Sequence, residues 1–224
     1  MHPRRTFLRL AAGALALAPG RARAQAPVVD RQLTRRLELW AKAAAGTRVL
    51  VARYALTRQS TLLKEPLKTA GTLLARAPDT LVMRDDTRDG ATTRLARGRL
   101  EIRPNDPALP ALAEAPSPTV TWLFEHVLAL FCVPEGAGEP TAALQADARL
   151  TVPRGPGHLL AITPRRDHPA RREIRDLVVH LDPHTGDVDQ LDLVEAGGDK
   201  LVITFSQRRR DAGEDEIAAL LQPT

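Results

Sequence analysis

The chain has 224 residues, a single cysteine and a formal charge of +5. That length suits one ordinary domain with a sizeable core, and one cysteine excludes any internal disulfide, so stability must come from packing. The positive charge alone would suggest a nucleic-acid partner, but its location excludes that class.

Residues 1–24 combine a basic head (Arg4, Arg5, Arg9), an apolar run over 10–18 and a small-x-small site at Ala22-Arg23-Ala24, the pattern of an export signal. The run is too short to span a bilayer. Arg4-Arg5 followed by Thr6-Phe7-Leu8-Arg9 resembles a twin-arginine signal. A cut after Ala24 is expected, because a cut after Ala26 would place Pro27 beside it. Removing 1–24 takes five arginines and no acidic residue from 32 basic and 27 acidic side chains, leaving 27 of each. Without a basic surplus there is no ground for phosphate binding, and no nucleic-acid partner is expected. No cysteine follows the signal to carry a lipid. The expectation is a soluble, monomeric periplasmic protein with one domain over 25–224.

Asp30 reads as an N-cap, Leu33, Leu37, Trp40 and Ala44 fall at helical spacing, and Gly46 ends the run, predicting a helix over 30–45. The register then becomes extended, predicting strands at 47–59 and 66–78 joined by a polar link around Lys64-Glu65-Pro66. Gly71 in the second of them suggests a bend. Short strands at 80–86, 92–96 and 99–103 follow, with reversals at Asp89-Gly90 and Arg97-Gly98, an antiparallel meander. Prolines over 104–119 argue against any regular ladder there.

A helix is predicted from Ser117 as N-cap, with Pro118 in its first turn, to about 132. Val120, Leu123 or Phe124, Val127 and Phe131 form its apolar stripe, and Trp122, Leu128 and Leu130 widen it almost all round. Two readings are open: ordinary core packing, or a helix that plugs or lines a ligand cavity. After a Gly/Pro-rich link at 134–140, strands are predicted at 147–153, 158–164, 174–181, 187–195 and 200–207, with a closing helix at 214–221. Arg208, Arg209 and Arg210 read as solvated surface.

His180, Asp182 and His184 alternate in a way that could gather metal ligands on one strand face. Pro183 and Gly186 suit a chain reversal over 182–186 instead, so no metal is expected. Around that turn Leu177, Val179 and Leu181, then Leu191 and Leu193, then Leu201, Ile203 and Phe205 share one face of three neighbouring strands. Catalytic machinery is sparse. None of Ser60, Ser117 and Ser206 sits in a nucleophile turn, Cys132 lies at an apolar helix, and Asp85-Asp86 and Asp211 with Glu214 read as solvated loop carboxylates. No enzyme activity and no cofactor are expected.

Apolar residues on both faces of several strands are explained if a strongly curved antiparallel sheet (mainly β with helices, α+β) keeps an oily concavity beneath the helices at 30–45 and 119–132. With only seven aromatic residues the lining is largely aliphatic. The candidate lining from the strands is Leu50, Tyr54, Leu73, Leu81, Met83, Leu191 and Phe205. From the second helix it is Trp122, Phe124, Val127 and Phe131.

The ordered set of export signal, N-terminal helix, the stretch 54–84 with Pro66-Leu67-Lys68-Thr69-Ala70-Gly71 and the corner Ala77-Pro78-Asp79, and the stretch 177–205 with Asp182-Pro183-x-Thr185-Gly186 and Gly198-Asp199, resembles the LolA-like outer-membrane lipoprotein carrier family. The segment 104–131 resembles a divergent branch of it. This resemblance implies an incomplete antiparallel β-barrel with a helical lid, and periplasmic transfer of a lipoprotein or other lipid-like cargo, such as a glycolipid or a polyene ester. It also implies an inner-membrane donor complex and an outer-membrane acceptor. The family carries an arginine directly before the proline of the corner, where it holds the lid closed. Here Ala77 fills that slot and Arg76 precedes it, so Arg76 is the lid-closing candidate. The alternatives are a periplasmic sensor or scaffold of the same fold that binds a membrane-anchored protein, and a metal-dependent enzyme built on His180, Asp182 and His184.

Overall fold

A computed structural model describes residues 30–133, 136 and 138–221. The export signal and its cut after Ala24 lie outside the described residues. Helix α1 (Arg31–Ala44) starts where the Asp30 carboxylate accepts the N–H groups of Gln32 (3.0 Å) and Leu33 (3.3 Å), satisfying donors that the first turn leaves unpaired. Gly46, at φ 74°, turns the chain out of it.

Eleven strands follow among the described residues. They are β1 (Val49–Gln59), β2 (Leu67–Arg76), β3 (Thr80–Asp85), β4 (Ala91–Ala96), β5 (Arg99–Pro104), β6 (Leu112–Glu114), β7 (Ala148–Thr151), β8 (His158–Pro164), β9 (Ile174–Leu181), β10 (Val188–Glu195) and β11 (Lys200–Arg210). Helices α2 (Pro118–Phe131) and α3 (Pro140–Gln145) lie between β6 and β7, and α4 (Glu214–Leu221) follows β11. Every strand pairs antiparallel in one curved, unclosed sheet of order β6-β5-β4-β3-β2-β1-β11-β10-β9-β8-β7. The result is an α+β half-barrel.

This order makes two meanders, β1 to β6 and β7 to β11, stitched together where β1 pairs with β11 over Leu50–Gln59. Because β6 and β7 are the two opposite edges, the chain between them must cross the sheet. It does so over the concave face. Helix α2 is therefore covered by strands on one side and by α1, α3 and a one-turn helix at Pro169–Arg172 on others, which is why its apolar residues run almost all round it.

Strand alternation separates the faces. Leu50, Ala52 and Tyr54 of β1, Leu73 and Ala75 of β2, Leu81 of β3, and Leu177, Val179, Leu191 and Phe205 of the other meander are buried on the concave side with Trp40, Trp122, Leu130 and Phe131. Val49, Val51, Leu74 and Val82 point the other way and form a smaller cluster with Ile217 of α4. Gly71 leaves room for the Tyr54 ring opposite it: a Cβ there would stand 2.7 Å from the Tyr54 hydroxyl and 2.1 Å from the Arg84 carbonyl oxygen.

The structure departs from the sequence reading in four places. The proline-rich stretch does hold a strand, β6, because residues 112–114 contain no proline and keep the N–H groups that a ladder needs. Helix α3 begins on Pro140, whose fixed φ suits a first helical turn, inside what reads as a link. The turn of helix at Pro169–Arg172 was also hidden. Strand β11 runs to Arg210, and Arg208 and Arg210 are not merely solvated: they pair with Asp189 and Asp187 across the β10 side.

The segment from Asp182 to Gly186 is a turn. The Asp182 carboxylate accepts N–H groups of His184 (2.8 Å) and Thr185 (2.7 Å), and these bonds, Thr185 first, hold its carboxyl below the usual carboxylate range. Gly186 has φ 80°, and a Cβ there would lie 2.3 Å from the Leu39 carbonyl oxygen, so the turn is packed directly against α1. His180 faces the convex side, 3.5 Å from Asp192, while His184 stays on the turn, so the three side chains do not converge. Burial works against the Asp192 charge, but hydrogen bonds from Lys200 and Gln190 outweigh it and hold the carboxyl below its ordinary value.

Candidate functional site

Between α2 and the concave face lies a cavity of about 110 Å³. Leu56 of β1, Leu73 of β2, and Leu81 and Met83 of β3 form one wall. Leu177 of β9, Leu191 and Leu193 of β10, and Leu201, Ile203 and Phe205 of β11 form the other. Leu123, Phe124 and Val127 of α2 close it from above. Every one of these side chains is apolar: eleven of the thirteen are Leu, Ile, Val or Met and two are Phe, so the Met83 sulfur is the one heteroatom among them. Such a lining offers dispersion contact and exclusion of water, and no means of polarising, protonating or attacking a guest.

The structure places Leu73, Leu81, Met83, Phe124, Val127, Leu191 and Phe205 of the expected lining on this wall. The other four stand elsewhere in the core. Leu50 and Phe131 stand beside Trp40 and Ala44 of α1, with the Phe131 ring edge-on to Phe205 at 5.0 Å. Tyr54 turns its hydroxyl to Asp85, and burial together with that carboxylate pushes the phenol pKa up. Trp122 stacks on His126 with ring centroids 4.1 Å apart. Asp85 and Asp86 are thus not free loop carboxylates: the first holds Tyr54 and the Ala91 N–H, and the second pairs with Arg53.

Six wall residues were not on the expected list: Leu56, Leu123, Leu177, Leu193, Leu201 and Ile203. The signal for five of them was present, since each shares a strand face with a residue that was named. Leu123 competes with Phe124 for the helix stripe, and both reach the cavity.

The sequence offered Arg76 as the residue that closes the lid. Its side chain shares the convex face with Leu74 and meets Glu214 of α4, at 3.2 and 3.4 Å, on the side away from α2. Ala77, one position on, donates its N–H to the Arg48 carbonyl at 2.9 Å. A shift of one residue along a strand changes the face reached, and here it directs the guanidinium to the C-terminal helix.

Cys132, just past α2, is buried, and that burial pushes its thiol up to about 12, far from the thiolate that a nucleophile requires. Asp211 is occupied as an acceptor for the Arg48 (3.1 Å) and Val49 (3.4 Å) N–H groups. The acidic residues singled out in the sequence therefore hold the fold together.

No family model and no curated protein matches the sequence. Among solved structures, a LolA superfamily protein from Nitrosomonas europaea is 9% identical over 83% of this chain and 96% of its own, with a TM-score of 0.45. The lipoprotein LppX of Mycobacterium tuberculosis is 12% identical over 82% and 98%, with a TM-score of 0.43. The MucA/MucB complex of Pseudomonas aeruginosa matches with 17% identity over 86% of this chain and 63% of the matched one, with a TM-score of 0.41. The first of these carries the family name that the sequence resembles. At such identities the likeness concerns the course of the chain and says nothing of its chemistry.

Proposed function

We propose that this protein is a periplasmic carrier that shelters the acyl chains of a lipoprotein or another lipid-like cargo for transfer towards the outer membrane. The observation that supports this reading is the cavity beneath α2, walled throughout by apolar side chains from both meanders. Its 110 Å³ is less than the roughly 150 Å³ of a cavity that takes up benzene. It is well below the roughly 300–1,000 Å³ of pockets for drug-sized ligands. The conformation is thus a closed one in which α2 fills most of the concavity, and a long chain enters by displacing α2 and taking over its contacts with the strands.

The test is binding of a fluorescent fatty acid to delipidated protein. Wild type should bind it, and Leu73→Asp, which puts a charge on the wall, should weaken binding at least about tenfold. Leu73 is fully buried, so Leu56→Asp, at a half-buried wall position, serves as the variant that keeps the fold. Folded wild-type protein that takes up no lipid would sink the carrier reading. Recovery of one membrane-anchored protein partner and no lipid would replace it with the sensor or scaffold.

A further inference from the structure

The large apolar side chains that stand exposed among the described residues are Leu62, Leu63, Leu67, Leu109 and Leu112, and all lie at one end of the sheet. Residues 60–66 join the end of β1 to the start of β2. The pairs Gly71 with Asp85 and Ala91 with Pro104 bring the 86–90 and 105–111 connections to that same end. Leu109 is on the second of these, and Leu112 opens β6 opposite Ile102. Single exposed leucines are ordinary, but Leu62, Leu63 and Leu67 gather on one hairpin, with Leu62 91% exposed at its tip, while Leu109 and Leu112 lie apart at the β6 edge.

The hairpin adjoins the cavity wall, with one charged side chain between them. Leu67 stands across from Arg58, whose neighbour on its other side is Leu201, a cavity wall residue. Arg58 itself is held aside by Glu195 at 3.4 Å and Asp199 at 3.8 Å. Lys200 is tied to Asp192 at 2.8 Å, and Lys64 sits beside Glu65, so the rim carries no strong surplus of charge.

We propose that this rim is a lipid-bilayer docking edge: Leu62 and Leu63 sink into the interfacial layer of a membrane and bring the cavity mouth against it. The proposal rests on the carrier reading and names where cargo is exchanged. A bilayer fits better than a second protein, because a stable protein interface needs roughly 800 Å² of shaped surface per partner, whereas two leucines on a narrow tip need only a fluid apolar layer. With charges balanced, attachment depends on apolar burial, and neutral lipid suffices.

The test is flotation of the full mature protein with phosphatidylcholine/phosphatidylethanolamine vesicles, with fatty-acid binding measured in parallel. Wild type should float, and should still float in about 1 M salt, where the screening length is only about 3 Å. Leu62→Asp with Leu63→Asp, both on the exposed link, should lower vesicle binding at least about tenfold while leaving fatty-acid binding unchanged. The proposal is overturned by wild type that binds fatty acid and does not float, by flotation that needs anionic lipid or vanishes in salt, or by a double variant that floats as well as wild type. Self-association that the same two substitutions abolish would also overturn it. Loss of fatty-acid binding in wild type would instead sink the carrier reading.

Discussion

His126 is buried on α2 with its ring against Trp122, and its Nδ1 lies 2.8 Å from the Trp122 carbonyl oxygen. A carbonyl can only accept, so Nδ1 donates, and burial of the ring favours its neutral form. Burial lowers its pKa, against smaller upward pulls from backbone hydrogen bonds, that to Trp122 first. In the unfolded chain the imidazole takes its proton near pH 6.5, and the folded protein resists it to lower pH. Stability from this residue is therefore complete above about pH 6.5 and is lost as pH falls through the folded value. The urea midpoint of wild type should drop between about pH 7 and 5.5, and His126→Gln should flatten that slope; equal slopes would contradict the argument. At this scale the caps were legible in the sequence, because Asp30 and Ser117 act within three residues of themselves. The Tyr54–Asp85 bond was not, since its partners are 31 residues apart and meet only after β2 has brought β1 and β3 into register.

Helix α4 tests how an element is held. Its Ile217 is buried against Val49, Val51, Leu74 and Val82, while its Glu214 meets Arg76 through side chains that remain 76% and 39% exposed. Apolar burial should dominate, because an exposed ion pair is worth about 0–1 kcal/mol. Ile217→Ala should cost about 2–5 kcal/mol in urea unfolding, and Arg76→Ala no more than about 1 kcal/mol. A larger loss for Arg76→Ala would show that the ion pair anchors the helix. Most elements were readable from periodicity and turn residues. The ones that escaped, β6 and α3, are short and sit among prolines whose effect depends on position: Pro140 starts a helix, whereas Pro110 and Pro116 bound a strand. The apolar circumference of α2 could be read, but its cause could not, for it lies in the pairing of β1 with β11 that puts β6 and β7 at opposite edges.

Over the whole molecule, one cluster of buried side chains runs from Trp40 of α1 through Trp122 and Phe131 of α2 into both meanders. The described elements share that core, so the protein should unfold in one cooperative calorimetric transition with equal calorimetric and van't Hoff enthalpies. Two resolved transitions would mean that the meanders are separate units. The oily concave face was legible in the sequence, from alternation in Leu177–Leu181, Leu191–Leu193 and Leu201–Phe205. The size of the cavity was not, since it is what remains after Leu123, Phe124 and Val127 have been seated, and no periodicity encodes that remainder. A sheet that never closes also leaves two borders with unpaired amides, a standing invitation to polymerise with neighbouring molecules. Here one border is three residues long with Pro110 before it and Pro116 after it, and the other is four residues long with Pro153 close behind. So abbreviated, these margins give a stray strand too few partners to extend a fibril, and the molecule can loosen its interior without sticking to its own kind.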